Sequence, residues 1–421
     1  MGREEARARR EGAHDGRGSD VAMLFATRVL RLFAFGMISV VLVLYLSAAG
    51  LDSRRIGLLI SATLAGDIVV SLVVTTRADR LGRRAMLRLG AILMAATGCC
   101  LATAHSFPIL LIAAAAGILS PSGNEIGPFL AIEQAALSEV SPPERRTSIF
   151  AWYHLAGSLA TALGALAGGS ASSLLRSSGF SDIASYRTVV WAYAALGAAL
   201  LLPFAFVTTG VEATAGGDGP RPGMLGLRRS RGIVMRLSAL FALDAFAGGF
   251  VVQSIMVYWF HIRFGVSAWT LGSIFFGANL LAGGSALIAA PMARRFGLIN
   301  TMVFTHIPSN LLLMLVPLMP SLPLAVAVLL LRFSISQMDV PTRQSYTMAV
   351  VESEERSAAS GITAVARSVG AAASPSLAGL ILATPGLLAV PFLVSGGLKI
   401  VYDLLLYRGF RAHAPPEREG A

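Results

Sequence analysis

Charged residues are scarce in this chain of 421 residues. Asp, Glu, Lys and Arg together make up 14% of it, whereas an ordinary soluble protein has about 25%. Hydrophobic residues make up 55% and the mean hydropathy is +0.69. The shortage of charge excludes a set of ordinary soluble domains and predicts a protein that lies mostly within a membrane.

Cysteine and lysine are also nearly missing. The two cysteines, Cys99 and Cys100, are adjacent within an apolar run, which excludes a disulfide framework. The sequence has no Cys/His cluster with metal-ligand spacing and no glycine-rich loop with a lysine to hold ATP phosphates. The only lysine, Lys399, has no catalytic company. We therefore predict a protein that is not an enzyme and has no cofactor and no metal.

Long apolar runs fill most of the sequence. A spanning helix needs about 20 mostly apolar residues, and twelve stretches reach that length: 24–48, 56–76, 87–104, 107–130, 147–171, 187–209, 236–260, 270–290, 298–318, 322–342, 357–382 and 386–407. They predict an all-α membrane protein with twelve transmembrane helices. Pro121, Gly123 and Pro128 predict a kink in the fourth stretch.

Arginine is distributed unevenly among the connecting segments. If both termini are cytoplasmic, the inner segments hold most of the basic residues, Arg343 among them, while the outer loops hold only Arg54, Arg55, Arg176, Arg187 and Arg263. This excess on the inner side is the usual orientation signal, and it explains the net charge of +11 without a nucleic-acid partner. We predict a protein of the plasma (inner) membrane, in contact with the lipid bilayer, with both termini cytoplasmic.

Polar stretches divide the chain into units. Residues 1–22 are charged and lack the apolar run of a signal peptide, so they predict a disordered cytoplasmic tail. Residues 210–232 are rich in Gly, Pro and Arg and predict a flexible cytoplasmic linker. The predicted bundles of six helices are 23–209 and 233–409, followed by a cytoplasmic tail at 410–421.

The two predicted bundles share several short sequence features, which occur in the same order along each half. Gly36 and Tyr45 in the first span have the spacing of Gly249 and Tyr258 in the seventh. GLDSRRIG matches GVSAWTLG, the bend ADRLGRR has a weaker partner in ARRFG, and SPPERRT echoes VESEERS. Parallel duplicated halves related by an axis along the membrane normal are a transporter architecture.

The bend between the second and third spans reads TTRADRLGRRAML, Thr75 to Leu87. It resembles the signature between helices 2 and 3 of the major facilitator superfamily, roughly G-x-L-A-D-R-x-G-R-R, with Thr75 in place of glycine and Arg77 in place of an apolar residue. The matching residues are Ala78, Asp79, Arg80, Gly82, Arg83 and Arg84. The resemblance covers the whole chain and implies two pseudo-symmetric bundles of six helices.

The same resemblance implies a gate. In the family, such an aspartate bridges the two halves on the cytoplasmic side while the carrier faces outward. Asp79 is therefore expected to latch the halves, with Arg83 and Glu133 as partners. The predicted gating motif consists of Asp79, Arg80, Gly82, Arg83, Arg84 and Glu133. The alternative is that the arginines of this segment serve orientation only.

Ionisable residues within the spans are expensive, at least about 2.5–3.5 kcal/mol each, so they usually face a cavity or each other. The predicted substrate and proton cavity consists of Arg31, Asp67, Asp244, Glu125, Arg332, Asp339 and Arg367. Arg31 and Asp244 occupy equivalent repeat positions, so we expect them to pair across the halves in one state. The alternatives are snorkelling to the inner interface and, for each residue, a static salt bridge between helices.

Proton coupling would use the carboxylates of this set. Arginine keeps its proton in proteins, whereas a carboxylate removed from water can take one up. Asp67, Asp244 or Glu125 would then carry the proton, and the arginines would attract an anionic group or hold those carboxylates charged. His154 and His306 lie on apolar spans and are expected to be hydrogen-bonded core residues rather than proton relays.

These observations predict a monomeric secondary active transporter that works by alternating access. It would couple a small organic or anionic solute to an ion gradient, most simply protons, and export the solute. GAAASPSLAG (370–379) resembles the antiporter pattern of the family, although in the family that pattern lies in helix 5, and here residues 157–169 lack its proline. Two alternatives stay open: a proton-coupled permease for metabolite uptake, and a non-transporting receptor or scaffold on a transporter fold.

Overall fold

The computed structural model describes residues 2–123, 129–141, 146–212, 229–352 and 355–411, with side chains from residue 19 onward except at 76, 79, 80, 139, 146–148, 209 and 357. This part of the chain is α-helical, with short turns and no strand. Ten helical stretches are long and apolar enough to cross a membrane, and two further spans are each built from two shorter helices. The predicted all-α architecture of twelve spans is confirmed.

The first six spans form the N half. They are α1 (Gly2–Ala48), α2 (Ser53–Leu81), α3 (Arg83–Thr103), α4a (Phe107–Ala116) with α4b (Phe129–Val140), α5 (Arg146–Ser177) and α6 (Asp182–Ala199, continuing as Leu201–Phe206). Local chemistry sets several boundaries. Asp52 caps α2 by accepting a hydrogen bond from the backbone N–H of Arg55 at 2.9 Å. Gly82 ends α2 with φ at +95°, a conformation that favours glycine.

The last six spans form the C half. They are α7a (Arg231–Gly249) with α7b (Gln253–Phe264), α8 (Ala268–Phe296), α9 (Leu298–Leu315), α10a (Leu322–Phe333) with α10b (Asp339–Ala349), α11 (Arg356–Leu382) and α12 (Val390–Phe410). We call the end of the bundle that holds the turns at Gly82 and Gly297 the linker face, because residues 212 and 229 flank the linker there. The other end, with the turn at 49–52, is the opposite face.

Several boundaries differ from the sequence prediction. Residues 2–22 were expected to be disordered but belong to α1, because their Ala, Arg and Glu content favours a helix. The tenth span is interrupted at 334–338 and the seventh at 250–252, although each was predicted as one helix. The kink expected in the fourth span is present as a break after Ala116. Linker residues 213–228 and tail residues 412–421 lie outside the described part.

Helix packing repeats between the halves. Gly36 of α1 lies directly against the backbone carbonyl of Thr161 in α5, and Gly249 of α7a lies directly against Ser374 in α11. The offset between Gly36 and Gly249 also separates Thr161 from Ser374. Neither site has room for a methyl group. The duplication read from the sequence is therefore also present in the contacts.

The two halves meet through bare backbone at two helix crossings. A methyl group on Gly57 of α2 would lie 2.8 Å from Cα of Gly379 in α11. One on Gly272 of α8 would lie 3.1 Å from Cα of Gly169 in α5. Small residues at these positions allow helices to approach closely within a membrane. Both crossings lie in the parts of the helices nearer to the opposite face.

Hydrogen bonds reinforce the same end of the interface. They join Ser39 to Gln253 (2.7 Å), Ser53 to Tyr258 (2.9 Å), Ser61 to Ser376 (2.9 Å) and the Ser173 hydroxyl to the backbone N–H of Trp269 (3.0 Å). All eight residues belong to helix segments nearer to the opposite face. The halves are therefore closed against each other at that face.

Candidate functional site

Spans four and ten are interrupted at corresponding places in the two halves. α4a ends at Ala116 and α4b begins at Phe129, while α10a ends at Phe333 and α10b begins at Asp339. Matching interrupted spans in a duplicated membrane protein point to its binding region. Each interruption exposes helix ends whose backbone groups need polar partners. Buried charges lie beside both of them, in two clusters.

The N-half cluster consists of Thr27, Arg31, Glu133 and Tyr153. Two guanidinium nitrogens of Arg31 on α1 donate to the two carboxylate oxygens of Glu133 on α4b, each at 2.7 Å. Thr27 donates to one of these oxygens at 3.0 Å, and the Tyr153 hydroxyl donates to the other. Both charged side chains have 0% of their surface exposed. The bidentate geometry and the two hydroxyls satisfy the carboxylate completely within the protein.

The C-half cluster consists of Asp244, Asp339, Arg343, Arg367 and Lys399. The Asp244 carboxylate on α7a lies 2.6 Å from Nζ of Lys399 on α12. It lies 3.2 Å from Nη1 of Arg343 on α10b and 3.2 Å from Nη1 of Arg367 on α11. Nη1 of Arg343 is also 3.0 Å from Asp339. One carboxylate therefore holds side chains from four helices together.

The C-half cluster has a surplus of positive charge, because three cations share two carboxylates. Burying charge in this way is costly unless the charges are well paired. Most of its side chains are nearly inaccessible, but the Arg367 side chain is 35% exposed while it holds Asp244. Guanidinium groups suit the planar geometry of carboxylate and phosphate oxygens. The arrangement can accept an anion at Arg367.

The predicted pair between Arg31 and Asp244 is not formed in this structure. Arg31 pairs with Glu133 of α4b, and Asp244 pairs with Arg343 of α10b, so each remains within its own half. For Arg31 the geometry is that of the alternative interpretation, a static salt bridge between helices. The repeat position is therefore occupied by a cation in one half and by a carboxylate in the other.

The remaining residues of the predicted cavity are not bonded to Asp244 in the described part of the chain. Asp67 on α2 is half-buried and accepts a hydrogen bond from Ser71 at 3.4 Å. Arg332 ends α10a with its guanidinium 4.8 Å from the ring centre of Phe333, and it interacts through space with Asp339. Glu125 lies outside the described residues.

The predicted latch of the gating segment is only partly visible. The side chains of Asp79 and Arg80 lie outside the described part, although their backbone belongs to α2. Glu133 was expected as a partner of Asp79, but it is fully engaged by Arg31, Thr27 and Tyr153. The latch therefore remains a prediction, and in this structure Glu133 has another role.

The rest of the gating segment binds an acidic residue that the sequence did not suggest. The backbone N–H of Arg83 donates to Glu212 at 2.6 Å and that of Arg84 donates at 3.3 Å. Because free N–H groups and the helix dipole favour an anion at a helix N-terminus, Glu212 caps α3. Gly82 leaves room for this carboxylate, since a methyl group there would lie 3.3 Å from it.

Two members of the C-half cluster were missed from sequence. Arg343 was assigned to the positive inner surface, but the break in span ten extends the helix to Ala349 and buries Arg343 at 5% exposure. Lys399 was not predicted to belong to the site, because no catalytic residue accompanies it. It is the only lysine and lies inside an apolar run, and this unusual position could have identified it from the sequence.

A third set of buried polar side chains lies between α9 and α12. Nδ1 of His306 lies 2.8 Å from one carboxylate oxygen of Asp403, and Nδ2 of Asn310 donates to the other oxygen at 3.2 Å. The prediction that His306 is a hydrogen-bonded core residue agrees with this contact. Asp403 was not singled out from the sequence.

Comparison with known proteins identifies the family. The family model of the Major Facilitator Superfamily matches residues 24–375. An uncharacterized membrane protein of Saccharomyces cerevisiae, YJR124C, is 29% identical over 417 residues, covering 92% of this chain and 93% of that protein.

Two further comparisons reach known transport-related proteins. The quinolone resistance protein NorA of Staphylococcus aureus (strain MRSA252) is 25% identical over 132 residues, 31% of this chain and 33% of NorA. The crystal structure of a mutant of the nucleoside transporter NupG superposes with a TM-score of 0.73 at 13% identity, covering 93% of this chain and 100% of that one. Because the family match spans most of the sequence and the fold agrees, this chain belongs to the Major Facilitator Superfamily of membrane transporters.

Proposed function

We propose that this protein transports a small organic anion by proton-coupled alternating access. The observation that carries the proposal is the C-half cluster, a set of charges with a positive surplus beside an interrupted span. Arg367 is its accessible member. An anionic group that reaches Arg367 would compete with Asp244 for the same guanidinium, so the solute would replace an internal contact with an equivalent one.

The architecture supplies the two states that transport requires. The halves repeat one another in their packing, and they touch across glycine crossings near the opposite face. A rigid rotation of one half against the other would open this face and close the linker face. We propose that the linker face is the cytoplasmic one, because the arginines of the connecting segments are concentrated there.

The charge of the site bears on the direction of transport. A proton and an anion that bind together add no net charge to the site, and they would cross the membrane in the same direction. The inward proton gradient would then drive uptake of the anion. Partial similarity to a quinolone resistance protein supports export instead, over one third of the chain. Fixed cations repel a cationic solute, and we therefore place uptake of an anion first and export second.

The test is solute exchange in proteoliposomes that contain the purified protein. A panel of labelled carboxylates, organic phosphates, nucleosides and quinolones is offered first without a gradient and then with an imposed pH gradient of either sign. We expect exchange of an anionic class and its accumulation when the anion side is acidic. Exchange of neutral or cationic solutes alone would refute the anion site. Binding of a solute that is never exchanged would support the receptor alternative.

A variant of Arg367 links this transport to the site. Arg367→Gln removes the accessible cation and is expected to lower apparent anion affinity by about 10-fold or more, because hydrogen bonds to charged groups contribute about 1.5–3 kcal/mol. Arg54→Gln changes an exposed arginine in the first turn of α2, at the opposite face, and serves as the matched control. Equal affinity in both variants would place the anion elsewhere.

A further inference from the structure

A buried ionisable pair in the C half has no role in the anion site described above. His306 of α9 and Asp403 of α12 are 2.8 Å apart, with side chains 6% and 1% exposed. Asn310, one turn after His306, fixes the second carboxylate oxygen. Ionisable groups at this depth are retained rarely unless they pair or take part in transport.

The packing of α9 against α12 holds this pair in place. Gly396 lies against the backbone carbonyl of Asn310, and a methyl group at Gly396 would approach that oxygen to 2.9 Å. The close approach of the two helices places the side chains of His306 and Asn310 within hydrogen-bonding distance of Asp403. The contact is therefore set by the backbone and not by two flexible side chains.

Lys399 connects the pair to the C-half cluster. It stands one helical turn before Asp403 on α12, the spacing at which helical side chains of opposite charge interact. Its Nζ lies 2.6 Å from Asp244, and it also acts electrostatically on Asp403. Lys399 is thus shared between a carboxylate of the anion site and a carboxylate of the histidine pair.

Other charges also face the pair from the surrounding helices. The ring of Tyr402 lies 6.1 Å from that of His306. The titratable and charged groups that act on the pair or on its immediate neighbours are Asp244 on α7a, Asp339 and Arg343 on α10b, Arg367 on α11, and Lys399 and Tyr402 on α12. The pair therefore belongs to one electrostatic network with the anion site.

Among the described residues, the groups that are directly bonded in this network balance in charge when His306 is neutral. The carboxylates are Asp244, Asp339 and Asp403, and the cations are Arg343, Arg367 and Lys399. Histidine is the side chain that most readily changes its charge under physiological conditions. A proton on His306 would leave the network with one positive charge in excess. An arriving anion would restore the balance.

We propose that the coupling proton binds to the His306–Asp403 pair and that Lys399 transmits its charge to the anion site. Asp244, tied to three cations, then serves as their counter-ion and not as the proton carrier. When His306 is protonated it neutralises Asp403, so that Lys399 no longer balances two carboxylates. Anion and proton favour each other's binding by the same factor, as linkage requires. This inference rests on the proposed function, because it assigns the proton site of that transport cycle.

The single lysine of the chain permits a direct test that needs no solute. Growth on isotope-labelled lysine labels Lys399 alone, so one ¹³Cε resonance reports its charge environment in the purified full-length protein. We expect this resonance to shift as the pH is lowered from about 8 to about 5, the range in which histidine side chains change charge. His306→Gln and Asp403→Asn should each abolish the shift. His154→Gln, which changes the histidine of α5 in the N half, should leave it intact.

Each result decides the proposal. A wild-type resonance that does not move over this range, or a shift that persists in His306→Gln, would overturn it. If His306→Gln does not yield folded protein, Asp403→Asn gives the same answer on the same resonance. The solute at saturating concentration should move the midpoint to higher pH, because a bound anion favours the protonated histidine.

Transport separates failure of this inference from failure of the proposed function. We expect His306→Gln to keep solute exchange without a gradient but to lose accumulation driven by the pH gradient by about 10-fold or more. If exchange and driven accumulation both survive, the inference is wrong and the proposed function stands. If the wild-type protein exchanges no anion, the proposed function fails, and the coupling role of His306 fails with it.

Discussion

The N-half and C-half clusters begin from the same repeat position and differ in every other respect. In the N half the position holds Arg31, which forms one bidentate pair with Glu133 that has no exposed surface. In the C half it holds Asp244, which is shared among cations from three other helices. One of these, Arg367, remains accessible. Duplication therefore preserved the location of a buried charge but not its sign.

This difference suggests that the two clusters have different roles, one in stability and the other in transport. A pair whose carboxylate is fully hydrogen-bonded and whose side chains are inaccessible to solvent holds helices together and presents no exposed charge to a ligand. Under the proposed function, a carboxylate shared among three cations would provide a place where an external anion competes. The comparison predicts that the N-half cluster governs stability and that the C-half cluster governs transport.

The largest loss of stability is expected from Arg31→Met. It leaves Glu133 buried and charged without its bidentate cation, and breaking a buried pair typically costs about 3–5 kcal/mol. Asp244→Asn should lower the unfolding temperature by less, because Arg343 keeps its bond to Asp339, Lys399 keeps its interaction with Asp403 and Arg367 is partly exposed. Thermal unfolding in detergent, followed by tryptophan fluorescence, measures both. Equal losses would show that the two clusters do the same work.

A double variant tests the cause of that loss. Arg31→Met combined with Glu133→Leu removes both charges of the pair, so neither is left in the interior without the other. We expect most of the stability to return, since apolar replacements of a buried pair are often tolerated. A double variant as unstable as the single one would mean that shape, and not charge, explains the effect.

A loss of stability of intermediate size, equal in the two halves, is expected at the glycine contacts that both halves share. Gly36→Ala and Gly249→Ala both force a methyl group into the neighbouring helix, and overpacking costs about 1–3 kcal/mol. Gly284→Ala in α8, where nothing lies within 4 Å of the added carbon, is the control and should unfold like the wild type. Unequal losses at Gly36 and Gly249 would show that the packing is not truly duplicated.

The smallest effect is expected at an exposed ion pair. Arg176 lies 2.7 Å from Asp182, but their side chains are 38% and 56% exposed. Water screens such a pair, which contributes at most about 1 kcal/mol. Arg176→Gln should therefore change the unfolding temperature little, in the same assay. A loss comparable to that of Arg31→Met would contradict the role of burial in separating these pairs.

Hydropathy and repeat spacing were sufficient to predict the twelve spans, the break in the fourth and the equivalence of Gly36 and Gly249. These features depend on local composition and on spacing along the chain. The burial of Arg31 and Asp244 also followed, because ionisable residues in an apolar run stand out. In such cases the sequence carries the physical cause directly.

The partners of those charges could not be predicted in the same way. Glu133 and Arg343 reach Arg31 and Asp244 from helices about a hundred residues away, and hydropathy does not specify which spans are neighbours. The break at 334–338 contains no proline or glycine, so no local signal marked it. Because this break was not predicted, Arg343 was placed among the arginines of the inner segments. Tertiary packing determines both the partners of the buried charges and the position of the break.

The glycine crossings that join the halves have a consequence for how the protein opens. Backbone touches backbone there, so parting the glycines costs chiefly dispersion energy, of which about a quarter to a half is lost with a gap of about 0.5–1 Å. The hydrogen bonds beside these crossings join uncharged groups and must break as well. Because none of these contacts releases a charged side chain, the rate of opening at this face should depend little on ionic strength.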